Sequence, residues 1–189
     1  MSEDYYQLLR NHMSVFGVFS DRDWNEISSR FELEKRKKGE LLLHDGIMAT
    51  KEYLIMSGIV KSYEIDEEGK EYIIQFAKEN YWVSDYYSFL FHTPATMNIE
   101  CIENSVFMSL SYENREELCS RYVQLANFFR IKTSRSVVFL QKRILSLMKD
   151  SAEERYHSLI RKHPDLAARV PKKFLAAFLG VSKETLSRF

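Results

Sequence analysis

Hydrophobic positions along the chain follow two different periods, which divide it into three regions. Between residues 4 and 30, apolar side chains such as Tyr5, Leu9 and Met13 recur every three or four positions, and this spacing predicts helices. From residue 31 to about residue 112, short apolar runs alternate with charged residues and with turns that contain glycine, a pattern typical of short β-strands. From Glu113 onwards the helical period returns. The pattern therefore predicts an α+β chain.

The middle region contains many short strand-like runs. They lie at residues 31–35, 41–43, 52–56, 59–65, 71–76, 97–102 and 106–110. The polar loop at residues 66–70 contains Gly69 and joins two of these runs, which indicates a β-hairpin. Many short strands with regular turn signals predict a small antiparallel barrel or jelly roll.

Residues 113–149 are predicted to form one long helix. A helix unbroken to Met148 would exceed about 50 Å, at roughly 1.5 Å per residue, and would carry an apolar stripe. The stripe consists of Leu118, Tyr122, Leu125, Phe129, Val137, Leu140 and Ile144. A compact barrel rarely covers such a stripe alone, so we expect the helix to pair with a second copy in a homodimer. The alternative is a helix that packs only on its own barrel, and the polar run at residues 132–136 interrupts the pairing surface.

The last nineteen residues have the pattern of a DNA-reading helix-turn-helix. Small residues at Ala176 and Ala177 allow a second helix to cross closely, and Gly180 allows a tight turn. Ser182 is a suitable N-cap for the second helix. That helix presents short and polar residues at its start, as entry into a major groove requires. Any packed helical hairpin can share this pattern, which leaves a purely structural alternative.

Charge is divided unequally along a chain whose net charge is zero. Residues 142–189 contain 11 Lys and Arg against 5 Asp and Glu, which leaves an equal acidic surplus in the first 141 residues. The basic segment predicts an anionic partner for the C-terminal part, and double-stranded DNA is such a partner.

Several classes of protein do not fit the composition. Cys101 and Cys119 lack the spacing of a metal site, and the histidines lack the pairing of a cupin metal centre. The sequence contains no nucleophile elbow, so we expect no enzyme activity. It also contains no run of about 18 apolar residues and no signal-peptide pattern, so we expect a cytoplasmic protein without a membrane partner.

The chain resembles the Crp/Fnr superfamily, the group of the cyclic-AMP receptor protein, and in particular its Bacteroidetes-type branch. The resemblance covers nearly the whole chain. Its landmarks, in order, are residues 58–61, 69–71, 76–82, 85–90, 98–100, 102–105, 143–147, 152–156 and 171–189. It implies an effector-sensing double-stranded β-helix, of the cyclic-nucleotide-binding jelly-roll type, at residues 1–112. It further implies a dimerisation helix at 113–149 and a winged-helix type of helix-turn-helix domain at 150–189.

The resemblance also implies which residues contact DNA. The family pattern Ser-Arg-Glu-Thr-x-x-Arg is similar to the start of the second helix and makes Lys183, Glu184 and Arg188 the base-reading residues. Residues expected on the DNA backbone are Lys172, Lys173, Ser182, Thr185 and Ser187. Lysine at 183 departs from the family arginine and loses its bidentate geometry. The helix reaches Phe189 after about two turns, where the family continues, so we expect this domain to be incomplete at its C-terminus.

The effector segment departs further from the cyclic-AMP-binding pattern. Asp85 is a weak substitute for the family glutamate, and no Arg or Lys occurs between Asp85 and Cys101 to hold a cyclic phosphate. We therefore expect no cofactor, no tight binding of cyclic AMP, and an unidentified small-molecule effector. Aromatic and polar residues in this segment form either an effector pocket or part of the barrel core. They are Trp82, Ser84, Asp85, Tyr86, Tyr87 and Thr96.

Together these features predict a dimeric transcription regulator that senses an effector and reads a palindromic operator through its helix-turn-helix. The resemblance also allows for contact with RNA polymerase. The alternative is a sensor module that acts on a protein partner without contacting DNA. A strong salt dependence of DNA affinity distinguishes the two.

Overall fold

The computed structural model describes residues 2–189, and within them eight strands form two four-stranded sheets. The strands are β1 (Glu32–Arg36), β2 (Leu41–Leu43), β3 (Lys51–Ser57), β4 (Val60–Ile65), β5 (Glu71–Ala77), β6 (Trp82–Val83), β7 (Asn98–Cys101) and β8 (Ser105–Ser111). The strand order is β1-β8-β3-β6 in one sheet and β2-β7-β4-β5 in the other. The predicted α+β fold with a jelly-roll-like domain is confirmed.

Strand β3 is buried on both faces, which places a core on each side of its sheet. Ile55 points into the space between the two sheets, where it packs with residues such as Phe107 and Ile99. Leu54 points to the opposite face and packs against helices. Adjacent residues of a strand point to opposite faces, so these neighbours belong to different cores.

Helices flank the sheets and form the C-terminal part. They are α1 (Ser2–Met13), α2 (Asp21–Ser28), α3 (Tyr86–Phe91), α4 (Tyr112–Arg121), α5 (Val123–Lys149), α6 (Ala152–Lys162), α7 (Pro164–Arg169), α8 (Lys172–Leu179) and α9 (Lys183–Leu186). Ser20 and Ser151 cap the starts of α2 and α6, because the hydroxyl of each accepts an N–H bond from the first turn. Ser151 also forms a reciprocal capping box with Glu154.

The predicted single helix over residues 113–149 is wrong in one respect, because it is interrupted at Tyr122. Tyr122 has extended backbone angles, φ −120° and ψ 98°, which end α4 and separate it from α5. Its hydroxyl donates a hydrogen bond to Glu26 of α2 at 2.8 Å. The apolar stripe continues through this residue, so periodicity could not show the break.

Four residues of the predicted dimer stripe contribute to the core of the same chain instead. Leu118, Leu125 and Phe129 are buried between the helices and the outer face of the β3 sheet, and Tyr122 packs against this core. This part of the stripe is therefore covered by its own jelly roll, as in the alternative stated above. Val137, Leu140 and Ile144 remain exposed.

The chain forms two compact units. One comprises residues 1–62 and 76–132, and the other comprises the end of the β4–β5 hairpin, residues 63–75, with residues 133–189. The boundary within α5 therefore falls after Lys132, inside the predicted dimerisation segment. The assignment of separate functions to residues 1–112, 113–149 and 150–189 stays a prediction, because compactness does not test function.

Candidate functional site

In the segment predicted to bind an effector, the carboxylate of Asp85 accepts hydrogen bonds from the segment itself. Asp85 is fully buried and N-caps α3, where its Oδ1 accepts the backbone N–H groups of Tyr87 and Ser88 at 3.1 Å each. Its Oδ2 accepts the backbone N–H of Thr96 at 2.7 Å and the Thr96 hydroxyl at 3.1 Å. Four donors inside residues 85–96 therefore already surround the carboxylate that was expected to contact a ligand.

The six predicted pocket residues make contacts within the chain. Asp85 and Thr96 meet, but they bond to each other, and the Ser84 hydroxyl donates to the Lys51 carbonyl at 2.9 Å. Trp82 packs edge-on against Phe128 and Phe129 on the helical side of the sheet. Tyr86 is half-buried in a charged cluster described below, and exposed Tyr87 packs against Phe91. The Lys132 ammonium lies over the rings of both Trp82 and Tyr86, and the effector pocket stays a prediction.

The space between the two sheets is filled by side chains. Ile55, Phe89, Ile99 and Phe107 are completely buried there. A groove of about 340 Å³ lies instead along residues 41–51 and contacts Tyr53. None of the predicted pocket residues lines this groove.

A buried charged cluster lies between β3, α3, α4 and α5, and the sequence analysis missed it. Glu52 is completely buried and forms an ion pair with Lys132. The Lys132 ammonium is also 3.1 Å from the Tyr86 hydroxyl, and Arg115 lies 3.6 Å from the other carboxylate oxygen of Glu52. In the sequence, Lys132 is the first residue of the polar run 132–136, and its partner Glu52 is 80 residues away, so the pattern did not indicate this pair.

Burial controls the ionisation of this cluster. Removal from water lowers the pKa of Lys132, and the Glu52 carboxylate offsets part of that shift. Burial and the same carboxylate raise the pKa of Tyr86 well above its usual value, so the phenol stays protonated and can donate. The cluster thus joins α3 to the first turns of α5 by charge-assisted bonds.

The predicted helix-turn-helix is formed by α8, α9 and the turn between them. Gly180 has φ 73°, and its N–H donates to the Ala177 carbonyl while that of Val181 donates to Ala176. This is the Schellman arrangement that ends a helix at a left-handed residue, a conformation that favours glycine. Four buried side chains hold the two helices together, namely Leu175, Ala176, Leu179 and Leu186.

The structure exposes all three predicted base-reading side chains, Lys183, Glu184 and Arg188. Lys172 and Lys173 are exposed at the start of α8. The hydroxyl groups predicted to contact the DNA backbone form hydrogen bonds within and beside the short helix α9. Ser182 caps the N–H of Thr185 at 3.1 Å and contacts its hydroxyl, and Ser187 donates to the Lys183 carbonyl at 2.9 Å.

Glu184 bends back over the beginning of α9. Its own backbone N–H and the Ser182 hydroxyl donate to the carboxylate and hold the pKa of Glu184 below its usual value. The positive end of the helix favours this position. A contact from Glu184 to a base therefore requires the carboxylate to turn away from the helix start.

Metal binding, membrane spanning and thiol reactivity depend on further features of the described residues. Within residues 2–189, no three His, Cys, Asp or Glu side chains are grouped to hold a metal ion. In the same part of the chain, no helix has the length and apolarity to span a membrane. Burial raises the pKa of both cysteine thiols to about 11, which disfavours the reactive thiolate.

Comparison with known proteins identifies the type of chain. Residues 33–122 match the family model of the cyclic nucleotide-binding domain. Over 90% of its length, the chain is 25% identical to the regulatory protein HlyX of Actinobacillus pleuropneumoniae and 29% identical to the fumarate and nitrate reduction regulatory protein of Yersinia pestis. It covers 75% and 72% of those two proteins. These matches support a regulator of the Crp/Fnr type.

Its fold agrees with that of a solved structure from Eubacterium rectale, assigned to the Crp/Fnr family. The TM-score is 0.72 at 16% identity, and the match covers 98% of this chain and 85% of that one. This match shows the fold. The predicted resemblance to Crp/Fnr regulators is supported by the family model and the two relatives, whereas the Bacteroidetes-type branch stays a prediction. The two matched relatives are regulatory proteins rather than enzymes.

Proposed function

We propose that this Crp/Fnr-type chain is a transcription regulator that binds double-stranded DNA as a homodimer, with α9 as its reading helix. The observation that carries the proposal is the arrangement of α8 and α9. Buried apolar side chains and a Schellman turn fix the two helices. Lys183 is exposed at the start of the second helix, and Arg188 is exposed in the turn that follows its last residue. These cations lie in a segment with a strong basic surplus, as DNA binding requires.

The exposed half of α5 supports the dimer. Val137, Leu140 and Ile144 repeat with the three- and four-residue spacing of a coiled-coil seam, and each is at least 42% exposed. Pairing two copies along this stripe would bury it and relate two reading helices by a twofold axis. Such a dimer fits a palindromic operator in the cytoplasm.

The closed segment around Asp85 supports an effector other than cyclic AMP. A cyclic phosphate would meet the buried Asp85 carboxylate, and no cationic residue occurs between Asp85 and Cys101. Like charges without a fixed cation repel, so binding there would cost free energy. The effector and any contact with RNA polymerase stay predictions.

DNA binding is tested by fluorescence anisotropy on fragments from upstream genomic regions at two salt concentrations. We expect selective binding that weakens with salt, and a loss of about tenfold or more in the K183A R188A variant, since each base contact contributes about 1–3 kcal/mol. The matched control is K37A K38A, which removes two exposed lysines from the jelly-roll part. Equal losses in the two variants would show that α9 does not read DNA, and absence of any selective binding would favour the sensor that acts on a protein partner.

A further inference from the structure

The carboxyl end of α8 is held by two arginine side chains from preceding helices. The last carbonyls of a helix lack partners within the helix. The turn satisfies Ala176 and Ala177, whereas Phe178 and Leu179 accept bonds from side chains. Arg143 of α5 donates to the Phe178 carbonyl at 3.3 Å, and Arg155 of α6 donates to the Leu179 carbonyl at 2.8 Å.

Arg143 also reaches the β4–β5 hairpin. The same Nη2 atom donates to the Ile73 carbonyl at 3.2 Å. Ile73 lies in β5, which is the edge strand of its sheet, and edge strands carry backbone groups without a ladder partner. One guanidinium therefore bonds two backbone oxygens, one from the hairpin and one from α8.

The aromatic ring of Phe178 fixes the plane of this guanidinium. The Arg143 carbon Cζ lies 3.7 Å from the centre of the Phe178 ring, the separation of a stacked pair. Burial, and then the charge of Arg155, lower the pKa of Arg143 to about 10, so the group remains cationic at neutral pH. Arg155 has a different second partner, the Asp150 carbonyl at 2.6 Å, and so joins α8 to the end of α5.

We propose that Arg143 is a positioning residue for DNA recognition. It fixes the orientation of the reading helix α9 by joining the end of α8 to the β4–β5 hairpin. The turn after Phe178 leads directly to α9, so the bond at this carbonyl restricts the direction in which α9 leaves the turn. A movement of the hairpin would displace the same guanidinium and thereby change the orientation of α9. This proposal rests on the proposed function, because its consequence is measured as DNA affinity.

Lysine cannot replace arginine in this role. An ammonium group lacks the planar fork that reaches two acceptors while it stacks on a ring. R143K keeps the charge and therefore isolates geometry from electrostatics. The neighbouring Lys142 is exposed, and K142A serves as the matched control for R143A, because both remove one positive charge at the same height on α5.

The test combines DNA affinity with amide hydrogen exchange of the full chain without DNA. We expect R143K to weaken selective DNA binding about tenfold, since bonds to charged donors are among the stronger ones, while K142A changes it by less than about threefold. We also expect R143K to speed exchange in two separate peptides, one from residues 66–77 and one from residues 172–186. Urea unfolding shows whether each variant is folded under these conditions, and F178L provides a milder second variant that keeps the carbonyl and removes the stacked ring.

The outcomes separate this proposal from the proposed function. Faster exchange only in residues 172–186 would overturn the link to the hairpin, because Arg143 would then act as a simple helix cap. Unchanged DNA affinity in folded R143K and F178L would overturn the positioning role. If the wild type itself shows no selective binding, the proposed function fails, and the hydrogen-exchange result alone decides whether the link exists.

Discussion

The two ends of α5 carry similar residues and have opposite surroundings. In its first ten residues, Leu125, Phe128 and Phe129 are at most 5% exposed. From residue 133 onwards, apolar side chains such as Phe139 and Ile144 are about half exposed. Hydrophobicity along the helix is thus continuous, whereas burial stops within a few residues.

The difference shows that an apolar stripe predicts a covered surface but not the partner that covers it. Beside Phe129, the partner is the outer face of the chain's own β3 sheet together with α1 and α2. Beside Ile144, the described chain supplies no such cover, and we propose a second copy. Buried Lys132 lies where the first environment ends, with its charge paired by Glu52.

The largest effect is expected from shortening the same residue type in the two environments. Phe129→Ala removes a buried ring that packs against Trp82 and Phe128 and should lower the free energy of unfolding by about 3–5 kcal/mol. Phe139→Ala, ten positions further along the helix and 45% exposed, should change it by about 0.5 kcal/mol or less. Urea unfolding at low protein concentration measures both, and equal losses would contradict the comparison.

A pH-dependent effect should come from His12, which packs against Phe128 and accepts a hydrogen bond from the Trp82 indole at 3.1 Å. Burial, and then the charge of Lys132, lower the pKa of His12 to about 4 from its usual 6.5. The unfolded chain then binds a proton that the folded chain rejects. Stability should therefore fall as the pH decreases from about 6.5 to about 4, by up to about 3 kcal/mol.

A variant that does not titrate distinguishes the contribution of His12 from that of other groups that titrate in this pH interval. His12→Gln keeps an acceptor for Trp82 but does not titrate, so its unfolding free energy should depend less on pH in that interval. Urea unfolding at several pH values provides the measurement. Parallel curves for wild type and variant would show that His12 does not contribute.

Substitutions in the exposed half of α5 should have the smallest effect on the stability of a single chain. Their effect on dimer formation should be large. Leu140→Asp places a charge in the proposed seam and should convert the dimer to monomers in sedimentation experiments, while it changes monomer stability by about 0.5 kcal/mol or less. Val138→Asp is the matched control, because Val138 is similarly exposed but lies outside the stripe. A monomeric wild type, or dissociation by both variants, would contradict the proposed seam.

Local features were the most predictable from the sequence. The strand runs, the Ser182 cap and the Gly180 turn depend on residues within a few positions of one another, and the structure has them near the predicted places. Strand β6 and helix α3 were not predicted. Their aromatic run at residues 81–91 has no clear period, and α3 begins where Asp85 receives bonds from Thr96.

Residue functions that depend on distant partners could not be predicted in this way. The sequence showed Asp85 as a weak ligand residue, but its four donors become visible only when residues 85 and 96 are brought together. Likewise, Arg143 was part of a family landmark, and its role emerged from carbonyls at positions 73 and 178.

The sequence by itself indicated the resemblance to Crp/Fnr regulators, the jelly-roll-like fold and the position of the helix-turn-helix, because periodicity, caps and turn residues act over short distances. Only the tertiary structure decided which part of the long stripe is core, where the helix breaks at Tyr122, and how Glu52 and Lys132 pair. These features follow from contacts between residues far apart in the chain, where burial determines whether a side chain packs, ionises or remains available to a partner.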